Sequence, residues 1–136
     1  MDLSPTDRLD ILDLLTRADS AASRRDADAY VALFTDDALL EGKEGNYEGK
    51  KKLRESVGPI WNSEGPVSMH LTLNPVVSAL EGHPDEAVAD STLVILSVGT
   101  AISIRSVSNI VQHVAKVGDT WLIKRRTVVS NFVSVS

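Results

Sequence analysis

The fold is decided by the stretch DAYVALFTDDALLEG, residues 28–42, which leads into YEGKKKLRES, residues 47–56. Asp26 precedes it and can cap a short helix that runs to about Phe34, because its carboxylate can accept a backbone N–H of the first turn. The rest predicts a turn, a short strand, a second turn and the start of another helix, at residues 35–37, 38–41, 42–46 and 49. A short strand therefore lies between two helices.

A longer helix precedes this stretch. Ser4 can cap its first turn, where Pro5 is also favourable, and we expect it to end near Arg25. Apolar residues recur along it at helical spacing, at Ile11, Leu15, Ala18 and Ala22, so that one face is buried. The helix that Gly49 opens should stop before Gly58-Pro59, because proline cannot continue the hydrogen-bond ladder.

The composition of the sequence changes after residue 66. Four segments rich in Val, Ile, Ser and Thr follow, separated by turn residues, at residues 67–80, 86–98, 101–116 and 120–135. They predict four long strands joined as an antiparallel meander. Helices first and strands afterwards indicate an α+β fold with the helices on one face of a sheet.

Composition limits the function classes. The 136 residues suit a single domain, and a net charge of −5 argues against a nucleic-acid partner. The chain has no cysteine, so disulfide and thiol chemistry are excluded. It contains no signal-like segment and no apolar run of membrane-spanning length, so we expect a cytoplasmic protein without a membrane partner.

Three segments in order carry a family resemblance: residues 28–42, MHLTLNPVV at residues 69–77, and DTWLIKRR at residues 119–126. Together they resemble the nuclear-transport-factor-2-like superfamily, which includes steroid isomerases, scytalone dehydratase and the SnoaL-like polyketide cyclases. The resemblance implies a cystatin-like cone over the whole chain, in which long bent strands wrap around the first helix. Ala18 and Gly42 stand where a steroid isomerase has its tyrosine acid and its aspartate base.

His70 is the first candidate for catalysis. Strand alternation places it on one face with three other polar residues, Ser68, Thr72 and Asn74. From the residues alone, this face either meets water or lines a pocket between the sheet and the helices. The resemblance favours the pocket, because a histidine here is similar to the catalytic histidine of the dehydratase and dehydrochlorinase branches. A neutral imidazole can take or give a proton near neutral pH.

The expected partner of His70 is missing. The resemblance places a partner aspartate late in the first helix, where this chain has Ser23, with Asp19 one turn earlier. A serine cannot hold an imidazolium by charge as a carboxylate does. Asp19 could replace it if the register differs by one turn, but a solvated helix position is the favoured expectation.

Further pocket candidates are Tyr30, Asn74, Glu41 and His113. Tyr30 or Asn74 could orient the histidine, and Glu41 adjoins the isomerase base position but should point to the opposite strand face. His113 resembles the second histidine of scytalone dehydratase, although an exposed position or a role in a dimer is favoured. Exposed positions are also the commoner expectation for the arginines that could bind an anionic substrate, Arg105, Arg125 and Arg126.

Two functions follow from this sequence. The first is a small-molecule-binding SnoaL-like enzyme that works as an isomerase, dehydratase or cyclase by proton transfer on a small apolar substrate, without a cofactor. The alternative is a non-catalytic ligand-binding or assembly module like the β subunit of ring-hydroxylating dioxygenases. No metal-ligand spacing is present. An incompletely covered sheet face rich in Val, Ile and Thr predicts a homodimer.

Overall fold

The computed structural model describes residues 2–43 and 45–134. These residues form the helices α1 (Pro5–Ser23), α2 (Ala27–Val31) and α3 (Lys50–Asn62). Their strands are β1 (Phe34–Gly42), β2 (Gly45–Glu48), β3 (Ser68–Leu80), β4 (His83–Val98), β5 (Ile102–Val117) and β6 (Thr120–Ser134). The predicted α+β class, with helices on one face of a bent sheet, is confirmed.

The strands form one mixed sheet in the order β2-β1-β6-β5-β4-β3. The four long strands make the predicted antiparallel meander, and β1 joins it as a parallel neighbour of β6. The β3–β4 and β5–β6 turns contain Gly82 and Gly118, which have positive φ angles of 81° and 62° that glycine adopts without strain. Register shifts interrupt all three pairings of the meander, and such bulges bend and twist long strands. The bent sheet encloses the helices on one side.

Helix α1 supplies much of the core. Ser4 Oγ accepts the Asp7 backbone N–H at 3.0 Å, and Pro5 occupies the first turn as predicted. One face of the helix is buried, with Ile11, Leu14, Leu15, Ala18, Ala21 and Ala22. Full burial of each large aliphatic side chain is worth about 1.5–3 kcal/mol, so this face fixes α1 beneath the sheet.

Several local predictions are wrong. Helix α2 does not run to about Phe34 but ends at Val31, and Phe34 begins β1. Helix α3 does not stop at Gly58-Pro59 but runs through Pro59 to Asn62, because the buried side chains of Val57 and Trp61 hold its last turns in the core. Residues 35–37 are not a turn but part of β1, and residues 45–48 form a separate strand. A register shift between Phe34 and Leu39 accommodates the exposed aspartates.

No described helix has the length and apolar character needed to cross a membrane.

Candidate functional site

A cavity of about 510 Å³ lies between the inner face of the sheet and the helices. Small-molecule sites commonly have about 300–1,000 Å³ and mostly apolar walls. Its apolar lining comes from both layers: Leu40, Val57, Ile60, Trp61, Leu93, Ile95 and Val128. Seven ionisable side chains interrupt this lining: Tyr30, Lys43, Tyr47, Glu64, His70, Arg105 and Arg126. Of the three arginines expected on exposed positions, Arg105 and Arg126 therefore reach the cavity, and Arg126 is buried. The cavity therefore combines an apolar body with several groups that can exchange protons or bind charge.

Glu64 and His70 form a buried pair in the cavity wall. Glu64 Oε1 lies 2.7 Å from His70 Nε2, and each side chain is 7% exposed. Ser68 Oγ donates a second hydrogen bond to the same carboxylate oxygen at 2.9 Å. An ionised carboxylate only accepts, so it favours the tautomer with the proton on Nε2, in which the ring's lone pair is on Nδ1. This is the arrangement of an oriented base.

The position of Glu64 is fixed by contacts beyond the helix end. The Arg25 guanidinium donates to Gly65 O, and at 3.4 Å to Ser68 Oγ. Ser97 Oγ donates to the backbone carbonyl of Glu64 at 3.0 Å. The connection between α3 and β3 is thus tied both to the end of α1 and to β4, which holds the carboxylate over the histidine.

Helix α1 holds the backbone of β3 rather than the imidazole. Ser23 Oγ accepts the His70 backbone N–H at 2.9 Å, and Asp19 Oδ2 accepts the Thr72 backbone N–H at 2.7 Å. Ser23 therefore occupies the expected partner position without contacting the ring. The expectation of a solvated Asp19 is wrong. Its burial raises the pKa of the carboxyl, an effect that the Arg126 charge and the bond from Thr72 only partly offset.

Tyr30 lies in the cavity wall as a buried member of an aromatic group. Its ring centroid is 5.0 Å from that of Phe34 and 5.3 Å from that of Trp61, with the Trp61 ring nearly perpendicular. Burial raises the pKa of the Tyr30 hydroxyl above its usual value of 10.0. The hydroxyl therefore stays protonated near neutral pH, and it can donate a hydrogen bond to a ligand oxygen.

Four sequence candidates are absent from the cavity lining: Ser23, Glu41, Asn74 and His113. Glu41 faces the other side of the sheet, where Oε1 accepts from Arg125 Nε at 2.7 Å and from Thr127 Oγ1 at 2.9 Å. Asn74 is exposed at a bulge with φ of 54° and is not part of the lining. His113 also lies on the outer face, with Nε2 at 3.1 Å from Glu86 Oε1.

Sequence reasoning missed Glu64. With α3 predicted to stop before Pro59, this residue fell in a connection with no assigned neighbour. The available signal was an acidic residue three positions after Trp61 and six positions before His70. Only the continued helix brings that carboxylate back to the start of β3. Among residues 2–43 and 45–134, no group of three or more His, Cys, Asp or Glu side chains is placed to hold a metal ion.

The family model of the SnoaL-like domain matches residues 4–127, which is most of the chain. The chain belongs to the SnoaL-like family. This fold family includes isomerases, dehydratases and cyclases, and it binds small molecules. The resemblance first seen in three sequence segments is therefore confirmed. No match was found among proteins of curated function.

Solved structures place the SnoaL-like chain in the cystatin-like fold. A protein of unknown function with this fold from Nostoc punctiforme is 24% identical, with 94% of this chain and 93% of that chain covered and a TM-score of 0.85. An NTF2-like protein from Novosphingobium aromaticivorans is 20% identical, with coverage of 91% and 82% and a TM-score of 0.76. A second protein of that organism, provisionally named a scytalone dehydratase, is 14% identical, with coverage of 92% and 84% and a TM-score of 0.74. These similarities establish the shared fold.

Proposed function

We propose that this SnoaL-like protein is an acid/base enzyme that isomerises, dehydrates or cyclises a small, mostly apolar molecule without a cofactor. The observation that carries the proposal is the Glu64–His70 pair, joined at 2.7 Å and buried in the wall of a cavity of about 510 Å³. A buried imidazole oriented by a carboxylate is suited to removing a proton from carbon.

The pair divides the work of proton transfer. Glu64 accepts from Nε2–H and holds the tautomer in which Nδ1 can accept the substrate proton. As the imidazolium forms, the carboxylate stabilises its charge in a site with little water. The imidazolium then returns the proton to another carbon in an isomerisation, or to a departing hydroxyl that leaves as water in a dehydration. The protonated Tyr30 hydroxyl can donate to a substrate oxygen.

The alternative is a module that binds a ligand without transforming it. Such a module needs apolar walls and a few hydrogen-bonding groups, and the cavity supplies both. Ligand binding alone gives no reason to bury a carboxylate next to an imidazole. Burying such a pair carries a desolvation penalty. Because acid/base catalysis uses the buried pair and simple binding does not, the pair favours the enzyme over the binding module.

A carbon-acid probe tests the base without knowledge of the natural substrate. In the Kemp elimination of nitrobenzisoxazole, a base removes the ring C–H proton while the N–O bond breaks, and a coloured cyanophenolate forms. We expect the wild-type protein to accelerate this reaction and His70→Gln to lower its rate by about a hundredfold, the lower range for a positioned base. Glu64→Gln should also slow it, because the tautomer is then no longer fixed.

His113→Gln is the matched control. His113 also pairs with a glutamate, at 3.1 Å, but on the outer face of the sheet. Its replacement should leave the elimination rate unchanged. A folded His70→Gln protein that keeps the wild-type rate would contradict the proposal and favour the ligand-binding module.

We also propose that the chain forms a homodimer through the outer face of the sheet. This face exposes several large apolar side chains, among them Met69, Leu73, Val76, Ile104 and Val129. Scattered apolar residues are ordinary on a protein surface, but a contiguous group on one sheet face usually marks an association surface. A second copy of the chain presents the same face, so a two-fold interface is self-complementary.

A further inference from the structure

Arg126 is a buried cation in the cavity wall. It lies on β6, its residue exposure is 5%, and it lines the same cavity as His70 and Trp61. Its neighbour Arg125 points to the opposite face and is exposed. Arginine is rarely buried unless its charge is matched by a partner, so the surroundings of Arg126 indicate what that partner is.

The described protein groups leave most of the guanidinium unmatched. Arg126 donates from one terminal nitrogen to Gln112 Oε1 at 3.1 Å, and this acceptor is a neutral amide. A guanidinium has five N–H donors. The exposed arginines Arg17, Arg54 and Arg125 each contact a carboxylate within 2.8 Å, whereas no ion pair joins Arg126 to any carboxylate of residues 2–43 or 45–134.

Asp19 compensates the charge only from a distance. Its Oδ2 atom is engaged by the Thr72 backbone N–H, and its Oδ1 atom has no hydrogen-bond partner. Attraction to Arg126 lowers the pKa of Asp19 less than burial raises it. The strongest group that could satisfy Arg126 is therefore an anion that enters through the cavity.

We propose that Arg126 is an anion-binding subsite for a small carboxylic acid with an aromatic or alkenyl body. The carboxylate would take two parallel hydrogen bonds from the guanidinium, the geometry for which arginine is suited. The apolar body would lie against Trp61, Ile60 and Leu93. This inference rests on the proposed function, since it gives the substrate class for the same cavity.

Arg126 and His70 reach the cavity from strands that are not neighbours. Arg126 is on β6 and His70 on β3, and two strands, β5 and β4, separate them. In this proposal the carboxylate at Arg126 is a permanent charge of the substrate, separate from the carbon that His70 deprotonates.

Calorimetric titration with matched probes tests this subsite. Benzoate and cinnamate differ from benzamide and cinnamamide mainly in charge. We expect wild-type protein to bind the carboxylates more tightly than the amides. Arg126→Gln should weaken carboxylate binding by roughly 10- to 100-fold, the worth of charge-assisted hydrogen bonds, and weaken amide binding much less. Arg126→Lys should give an intermediate loss, because it keeps the positive charge but not the two parallel N–H donors of the guanidinium.

Arg125→Gln is the control, since it removes a cation of the same strand that faces away from the cavity. Equal affinities for benzoate and benzamide in wild-type protein would overturn the subsite. Undiminished benzoate binding by folded Arg126→Gln would also overturn it. If Arg126→Gln does not fold, Arg126→Lys decides the question, because Lys43 and Arg105 also line the cavity and would favour an acid over an amide.

The two proposals fail in different ways. His70→Gln should keep carboxylate affinity, because Arg126 and the apolar walls remain. Elimination activity without any preference for carboxylates would remove the subsite and leave the acid/base function. A carboxylate preference without elimination activity would support the subsite and remove the enzyme.

Discussion

At the scale of single residues, the carboxylate that contacts His70 is not the one that the family resemblance indicated. The partner of His70 comes from the connection after α3 rather than from α1, where Ser23 stands in the position that the family resemblance indicated. Ser23 and Asp19 instead anchor the backbone of β3. An acid on α1 is therefore still present, but it orients the strand and contributes to the potential around His70 and Arg126.

Asp19 should lower the stability of the protein near neutral pH. Burial raises its folded-state pKa above 3.8, so the folded protein holds this proton more tightly than the unfolded chain does. Folding is therefore helped by protonation of Asp19, and that contribution is lost as pH rises through the raised pKa. Asp19→Asn keeps an acceptor for Thr72 and has no ionisation penalty. We expect it to be more stable than wild type at pH 7, by less than about 2 kcal/mol on the scale of single substitutions.

Thermal unfolding from acidic to neutral pH measures this effect. The advantage of Asp19→Asn should shrink as the solution is acidified and the wild-type carboxyl takes up its proton. Asp13→Asn is the control, because Asp13 forms only an exposed pair with Arg17, which is worth little. An Asp19→Asn protein less stable than wild type at pH 7 would show that attraction to Arg126 outweighs the cost of burial.

At the scale of elements, the sequence allowed the four long strands to be located closely but not the phase of their side chains. Alternation predicted one face for Ser68, His70, Thr72 and Asn74. It holds for the first two, which are buried, and fails at Asn74, because a bulge between Leu73 and Val76 shifts the phase and exposes the amide. Bulges depend on pairing with another strand, so a local pattern does not show them. Pro59 illustrates the same limit, since tertiary packing of Trp61 overrides the local stop signal.

Trp121 should connect α1 to β6 as a structural residue. It is 4% exposed, and its Nε1 atom donates to Asp7 Oδ1 in the first turn of α1 at 3.0 Å. Trp121→Ala should lower the free energy of unfolding by about 3–5 kcal/mol, because it leaves a cavity in the core. Trp121→Phe keeps most of the ring and loses the hydrogen bond, so its effect should be smaller, about 1 kcal/mol from the bond itself. A loss below about 1 kcal/mol for the alanine variant in chemical denaturation would contradict this role.

At the scale of the whole molecule, the two faces of the sheet carry different groups of side chains. Its inner face encloses the cavity with Glu64, His70 and Arg126. Its outer face carries ion pairs such as Glu41–Arg125 and Glu86–Lys124 beside exposed apolar side chains. The family resemblance predicted the cone and the place of the histidine. It could not predict which carboxylate closes over the ring, since that depends on the path of the α3–β3 connection through three dimensions.

The outer face should hold two copies together. Light scattering at tens of micromolar should give twice the chain mass of 14.7 kDa. The double variant Met69→Glu and Leu73→Glu places two charges on the outer face of β3, where both side chains are 44% exposed, so it should dissociate the dimer and leave the monomer folded. Leu9→Glu is the matched control, because Leu9 is an apolar residue 67% exposed on α1, away from this face. A wild-type mass of one chain would contradict the dimer, and so would a double variant that is still dimeric, because charge buried at a real interface opposes association.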